Sequence, residues 1–261
     1  MKAIILAAGL GTRLGKYTKN LPKCMLIFNE KPIIEWQVQT LRKAGITDIT
    51  VVKGHMSEKI NLPGVKNYVN ENYAQTNMVE TLFTAVKELN DDVLICYADI
   101  IYQKEVLQKI IKSKVDIGVT VDEDYWEYWQ SRMDKPEDDM ESLVLDKKGK
   151  IVELGNTNCK RDKANLRYVG LIKFSKSGVK KLKETYYKNK GLFYNRETPW
   201  LRSKSFKKAY MTCMIQAMIN EGTEVDPIII NRGWLEFDTV EDYEKYNSWL
   251  KEDTLNRFFQ N

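Results

Sequence analysis

Histidine is nearly missing from this chain: His55 is the only one in 261 residues. A histidine-built metal cluster is thereby excluded, and a Ser-His-Asp triad would have to use that single imidazole. His55 follows Gly54 at an expected strand end, where an ordinary loop histidine is the better reading. Cysteine is sparse too. Cys24, Cys96, Cys159 and Cys213 stand far apart with no C-x-x-C pair, which argues against a zinc ribbon or a disulfide scaffold and for buried free thiols. No stretch approaches the roughly 18 consecutive apolar residues of a membrane span. The short apolar run at the start leads into a polar glycine turn rather than a cleavage site, so a soluble cytoplasmic protein with no membrane partner is expected. One-sided charge is also absent. The 41 basic and 36 acidic residues are well mixed and leave a net charge of +5, too dilute for a nucleic-acid surface. Residues 187–210 are the exception, with lysines and arginines interleaved among aromatic residues. Such a stretch could track single-stranded RNA or wrap a phosphorylated substrate, but a solvated face explains it best.

What is present is concentrated in residues 3–26, AIILAAGLGTRLGKYTKNLPKCML. Ala3 to Leu6 is a short continuous apolar run, the pattern of a strand buried on both faces of a parallel sheet. Gly9 and Gly11 then let the backbone turn tightly and approach a ligand closely. Backbone N–H groups in such a turn form an anion-binding nest, to which Thr12, Arg13 and Lys23 add hydrogen bonds and positive charge. The segment is therefore built to hold a polyphosphate. Two familiar glycine loops are excluded by counting. A Walker A loop has four residues between its first glycine and Gly-Lys, then Ser or Thr, whereas Gly9 and Gly15 enclose five and Tyr17 follows Lys16. A dinucleotide fingerprint needs glycine three residues after Gly11, where Leu14 stands.

Along the chain, strand and helix signals alternate. Ile34, Val38 and Leu41 follow helical spacing before Gly45, and Ile49 to Val52 reads as a strand. Asn77 with Glu80 three residues later marks a helix start carrying Leu82, Phe83 and Val86. Val93 to Tyr97 and Ile117 to Val121 read as further buried strands, with Val106, Ile110 and Ile111 on a helix between them. Repeated β-α-β units predict an α/β fold with a mostly parallel, doubly wound sheet and ligands outside the carboxyl ends of its strands. Beyond Val121 the rhythm changes. Leu143 to Leu145, Ile151 to Leu154 and Tyr168 to Phe174 read as shorter antiparallel strands, and Met211, Met214, Ile215 and Met218 as a helix face that packs a core. A closing amphipathic helix runs from Asp242 to Leu250 with Thr239 as its N-cap. We expect a single domain over residues 1–261, with a nucleotide-binding half at 1–121, a substrate-binding half at 122–238 and the closing helix in 239–261.

Two carboxylates need a partner. Asp99 follows the strand Val93 to Tyr97, so the sheet delivers it to the same edge as the glycine turn, and Asp238 follows the Trp234-Leu235-Glu236-Phe237 segment. A desolvated carboxylate is costly unless paired or metal-bound. Mg²⁺ takes one or two carboxylates together with phosphate oxygens and water, so the pair suits a hard cation.

The string L-A-A-G-x-G-T-R-L followed by T-x-x-x-P-K resembles the signature of nucleotidyltransferases that make sugar nucleotides and related activated phosphates. Residues 95–102, ICYADIIY, and 234–239, WLEFDT, resemble the metal-bearing segments of the cytidylyltransferase branch that activates phosphocholine, 2-aminoethylphosphonate or phosphoglutamine. YAQTNMVETLF at 73–83 is similar to the nucleotide-side helix start of that group, and WEYWQSR at 126–132, YVGLIKFS at 168–175 and AYMTCMIQAMIN at 209–220 resemble its phosphonate and phosphoglutamine members.

The resemblance implies a Rossmann-like nucleotidyltransferase fold with a small antiparallel substrate-binding portion, CTP as co-substrate, Mg²⁺ as cofactor and release of pyrophosphate. It places Leu6, Ala7, Ala8, Gly9, Gly11, Thr12 and Ala98 around the nucleotide. Arg13 is assigned to the β- and γ-phosphates, Lys23 to the α-phosphate and attacking group, and Asp99 and Asp238 to the metal. Gln75, Thr76, Asn77 and Thr81 are candidates for base and ribose at a helix N-terminus. For the second substrate, Trp126, Trp129, Tyr168, Tyr194 and Trp234 are expected to enclose an ammonium group, and Arg132 to meet a phosphonate or carboxylate. A cage would favour phosphocholine, whereas an acid such as Asp124 or Glu127 beside the ammonium would suit a primary amine. A sugar-1-phosphate nucleotidyltransferase using UTP, dTTP or CTP is the enzyme alternative. A nucleotide- or RNA-binding module is the non-enzyme one, disfavoured by the retention of both metal carboxylates. Similar enzymes are often homodimers, and the sequence leaves the oligomeric state open.

Overall fold

The computed structural model describes residues 1–260. At its centre lies a seven-stranded sheet made of β1 (Lys2–Ala7), β2 (Ile49–Lys53), β3 (Lys66–Val69), β4 (Val93–Tyr97), β5 (Ile117–Asp122), β6 (Arg167–Phe174) and β7 (Asp226–Ile230), in the spatial order β7-β5-β6-β4-β1-β2-β3. Parallel pairing joins β1 to β2 and β4, β2 to β3, and β5 to β7. Only β6 runs the other way, antiparallel to both β4 and β5.

The α-helices among the described residues are α1 (Ile33–Lys43), α2 (Met78–Thr84), α3 (Lys104–Lys112), α4 (Tyr125–Arg132), α5 (Lys176–Phe193), α6 (Met211–Asn220) and α7 (Val240–Lys251). The alternation of β1 shows why its apolar run is continuous. Ala3, Ile5 and Ala7 enter one core with Ile34, Val38 and Leu41 of α1 and Val106, Leu107 and Ile110 of α3. Ile4 and Leu6 face the opposite core with Val79 and Leu82 of α2, Leu182 of α5 and the methionines of α6. The Met211, Met214, Ile215 and Met218 face is thus core packing, and the doubly wound α/β architecture is borne out.

Local capping fixes the ends of two elements near the site. Asn77 begins α2, its side chain accepting the Met78 N–H, but Glu80 does not close a capping box; it receives the Tyr186 hydroxyl at 2.8 Å. Thr239 begins α7 with a complete box, reciprocally bonded to Asp242.

Several elements differ from expectation. Tyr168 to Phe174 is antiparallel as expected, but β6 is inserted between β4 and β5 of the main sheet, whereas Leu143–Leu145 and Ile151–Leu154 pair antiparallel outside it. Val86 leaves the helix and opens a 3₁₀ turn, Val86–Glu88. Residues 187–193 complete α5, so the basic and aromatic stretch is partly a helix face, with Tyr187 exposed on it. Among the described residues, no helix is long and apolar enough to cross a membrane.

Candidate active site

The order of strands reverses between β1 and its neighbour β4, since the chain runs outward from β1 to β3 before returning to β4 on the other side. Crevices of open α/β sheets lie at such a reversal, beyond the carboxyl ends of the strands. A cleft of about 360 Å³ opens there. Every residue expected at the nucleotide lines it except Gln75, which is exposed outside it.

The glycine turn forms its floor. Gly11 has a φ of 65°, in the left-handed region, and a Cβ there would lie 3.0 Å from the Cβ of Lys23. Glycine is thus needed both for the turn and to let Lys23 pass beneath it. The Gly11 carbonyl accepts the Thr18 hydroxyl at 2.9 Å and the Leu14 N–H at 3.1 Å, which locks the return of the chain toward Pro22 and Lys23. A Cβ at Gly9, by contrast, would meet nothing within 4 Å and would face open cleft.

Two distant carboxylates meet on one ammonium. Lys23 Nζ donates to Asp99 Oδ2 at 2.8 Å and to Asp238 Oδ1 at 2.9 Å, and Arg13 Nη1 lies 2.5 Å from Asp238 Oδ2. A short ladder explains the convergence: Trp234–Glu236 pairs antiparallel with Ile100–Tyr102, and the Phe237 N–H donates to the Asp99 carbonyl at 2.8 Å. Asp238 is therefore laid beside Asp99 by backbone pairing. Burial alone would lower the Lys23 ammonium, but the charges and hydrogen bonds of Asp99 and Asp238 outweigh it and hold it above its ordinary value. Burial also lifts the Asp238 carboxyl above the usual range, against the pull of Lys23 and Arg13. Such a carboxylate is stable only in the company of cations.

The pair fits a hard cation. Asp99 Oδ1 is buried and makes no hydrogen bond, and the Lys23 ammonium already marks a point where positive charge sits between both side chains. Among the described residues no group of three or more His, Cys, Asp or Glu side chains is arranged to hold a metal, so an ion here would draw its other ligands from phosphate oxygens and water. The cleft also contains Cys24, but burial pushes its thiol up to about 12. A thiol held neutral in this way is a poor nucleophile.

Thr76 and Thr81 line the cleft without offering free hydroxyls. Each accepts from Asn70 Nδ2 at 3.0 Å, while Thr76 donates to the Asn72 carbonyl and Thr81 to that of Asn77. They shape the turn before α2. That helix spans only seven residues, so its dipole contributes little. Sequence reasoning missed Tyr73 and Met78, which also line the cleft, and Gly54, whose Cβ would fall 2.7 Å from the Ala8 carbonyl and 2.8 Å from Tyr73 Cβ. Tyr73 and Met78 lie inside the 73–83 segment, which was the available signal; Gly54 carried none.

The expected ammonium enclosure is not assembled. Trp129 and Trp234 are fully buried and pack on each other, with ring centroids 5.8 Å apart. Arg132 is buried as well, bidentate to Asp242 at 2.6 and 2.7 Å and bonded to Glu236 at 2.6 Å. These three residues belong to the interior and have no surface to give a substrate. Trp126 lies under Arg161, and Tyr194 sits at the end of α5 between Lys190 and Lys207; neither lines the cleft. Asp124 is engaged by Asn231, and Glu127 by Arg232 and Arg257. Tyr168 is half-buried, its ring 5.5 Å from that of Tyr97 at the end of the strand that precedes Asp99, and it does not line the cleft either.

Arg132 has a different role. Asp242 Oδ2, gripped by Arg132, accepts the backbone N–H of Asp238 at 3.0 Å and of Thr239 at 2.8 Å. The guanidinium thus braces the loop that presents Asp238.

Residues 3–150 match the model of the MobA-like NTP transferase domain. CTP:phosphoglutamine cytidylyltransferase of Campylobacter jejuni is 34% identical over 256 residues, 94% of this chain and 98% of that protein. Choline-phosphate cytidylyltransferase of Streptococcus pneumoniae is 41% identical over 36% of this chain and 43% of its own length, and 2-aminoethylphosphonate cytidylyltransferase of Lancefieldella rimae is 36% identical over 40% and 44%. In fold, the chain superposes on the CTP:phosphocholine cytidylyltransferase from Streptococcus pneumoniae with a TM-score of 0.69, covering 95% of this chain and 98% of that one at 24% identity.

Proposed function

Since the chain belongs to the MobA-like NTP transferase family, and is a nucleotidyltransferase, we propose that it is a Mg²⁺-dependent cytidylyltransferase. It moves CMP from CTP to a small phosphorylated or phosphonate acceptor bearing an amine. The observation that carries this reading is the convergence of Arg13, Lys23, Asp99 and Asp238 at the mouth of the glycine turn. The full-length similarity to a phosphoglutamine cytidylyltransferase supports the choice of CTP and of the acceptor class.

In the proposed reaction, an acceptor oxygen attacks the α-phosphorus of CTP in line; the P–O bond to the β-phosphate breaks and pyrophosphate leaves. Both reactants are anions, so the protein's task is to hold them together and neutralise charge, with no covalent enzyme intermediate. The turn from Ala8 to Thr12 cradles the phosphates with backbone N–H groups. Arg13, whose side chain is largely exposed at the cleft rim, neutralises the departing phosphates. Asp99 and Asp238 would hold Mg²⁺, which would supply Lewis-acid polarisation of the phosphate oxygens. Lys23 neutralises the α-phosphate and the incoming oxygen.

Incubation with Mg²⁺, each NTP in turn and a panel of phosphocholine, 2-aminoethylphosphonate, phosphoglutamine and sugar 1-phosphates tests this reading through pyrophosphate release. The expected result is release with CTP and an amine-bearing acceptor. Release only with UTP or dTTP and a sugar 1-phosphate would replace it with the sugar-nucleotide alternative, and no release with any pair would leave a binding module.

A further inference from the structure

The segment that carries Arg13 stands between two glycines with positive φ, Gly11 at 65° and Gly15 at 45°. Glycine leaves the backbone the greatest freedom to pivot. Between them, Thr12–Tyr17 forms a 3₁₀ turn whose bonds close it on itself, the Leu14 N–H reaching the Gly11 carbonyl and the Thr18 N–H the Gly15 carbonyl at 3.3 Å. Leu14 anchors the turn in the core. The exposed residues around it need another anchor if Arg13 is to keep its place, and α7 supplies one.

Residues 13–17 meet α7 in order along one side. Arg13 bonds Asp238 just before the helix, and a Cβ at Gly15 would lie 3.7 Å from Val240 Cγ2. Lys16 Nζ and the Tyr17 hydroxyl both donate to Glu244 Oε1, at 2.8 and 2.9 Å. The Tyr17 ring packs edge-on against Tyr243, with centroids 4.6 Å apart. Val240, Tyr243 and Glu244 share a face by their helical spacing. The Tyr243 hydroxyl also donates to the Ile27 carbonyl at 2.6 Å, just past the turn Lys23–Met25. One helix therefore touches the chain on both sides of the loop from Gly11 to Lys23 and carries Asp238 at its head. Tyr246, fully buried in the same core as Leu14, seats that helix.

Resting on the reading of the cleft as a triphosphate site, and not on the choice of base or acceptor, we propose that Tyr17, Tyr243 and Glu244 are positioning residues for the nucleotide. Through them α7 latches the glycine turn, so that Arg13 and Lys23 meet the phosphates at a fixed place beside Asp238. None of the three lines the cleft, so each acts through the turn. The latch adds little to folding, because its ion pair is exposed, Lys16 at 68% and Glu244 at 49%. Its worth lies in ordering a glycine-flanked segment before the ligand arrives, a cost that binding then does not bear.

Calorimetry on the full chain with Mg²⁺ reads the effect with two probes, inorganic tripolyphosphate and an α,β-methylene analogue of CTP. Glu244→Ala is expected to bind both more weakly than wild type by the same factor, about threefold to tenfold, the worth of a hydrogen bond. Tyr17→Phe, which removes one oxygen, should shift both in the same direction by less. Glu244→Gln removes the same charge as Glu244→Ala but still accepts from Lys16 and Tyr17, so it should restore most of the affinity. In the absence of nucleotide, trypsin should cut after Arg13 faster in Glu244→Ala than in wild type, at an unchanged melting temperature. Unchanged affinity for tripolyphosphate, weakening confined to the CTP analogue, no rescue by Glu244→Gln, or equal cutting in folded Glu244→Ala overturns the proposal, as does wild type that binds neither probe. Wild type that holds tripolyphosphate as tightly as the CTP analogue would instead sink the choice of CTP and leave the latch standing.

Discussion

The two sides of Asp99 are built in different ways. The nucleotide side comes mainly from one unbroken segment, residues 6–24, with a second contribution from 73–81. The side that presents Asp238 is gathered instead from Arg132, Glu236 and Asp242, which lie far from that segment in the chain. The contrast follows from what each side must do. A triphosphate is met by backbone N–H groups and a tight turn, which neighbouring residues supply. A carboxylate laid beside another is held in place by a buried ion-pair network, whose members can come from distant parts of the chain.

The largest expected effect tests where the two sides meet. Lys23→Ala and Asp238→Asn should each lower turnover about a thousandfold or more, as losses of groups that neutralise charge in the transition state, with circular dichroism unchanged. Lys23→Ala has a second readout. It leaves Asp99 and Asp238 with no shared cation, so Mg²⁺ should raise its melting temperature by more than it raises that of wild type. Near-normal pyrophosphate release by either variant, or no added stabilisation by Mg²⁺, would break the assignment of this junction.

The same contrast decided what could be read from the sequence. The glycine turn, the alternating β-α-β pattern and both aspartates were legible because each is a local string with its own chemistry, and Asp238 needed only a strand before it. Arg132, Trp129 and Trp234 were misread as substrate contacts. Arginine and tryptophan have the same identity in a binding pocket and in a core, and only the fold revealed that Arg132 bonds Asp242 and Glu236. The antiparallel β6 was recognised as a strand, but its insertion into the parallel sheet depends on pairing with β4 and β5, which strand propensity does not encode.

Arg132→Ala sharpens the correction. A substrate contact would raise KM and leave stability alone. A buried brace behaves otherwise: removing it strands Asp242 and Glu236, and the expected loss is about 3–5 kcal/mol of unfolding free energy, read from urea denaturation. Turnover should fall as well, since Asp242 fixes the backbone of Asp238 and Thr239, with KM for the acceptor moving less than kcat. Unchanged stability with a raised acceptor KM would restore the substrate-contact reading.

The smallest effects distinguish the two glycines of the turn. Gly11 has a positive φ and sits against Lys23, so Gly11→Ala carries backbone strain of order 1–3 kcal/mol and displaces the lysine as well. Both stability and nucleotide affinity should drop. Gly9 has neither constraint: its φ is ordinary, and a methyl group there meets no protein atom within 4 Å. Gly9→Ala should therefore melt within a degree or two of wild type, yet bind CTP more weakly, because the methyl group projects into the space where phosphates approach the backbone. Equal CTP affinity in Gly9→Ala and wild type would mean that the triphosphate does not pass over Gly9. The backbone cradle would then have to begin at Gly11, and the nucleotide side would lean on Arg13 and Lys23 as heavily as the Asp238 side leans on Arg132.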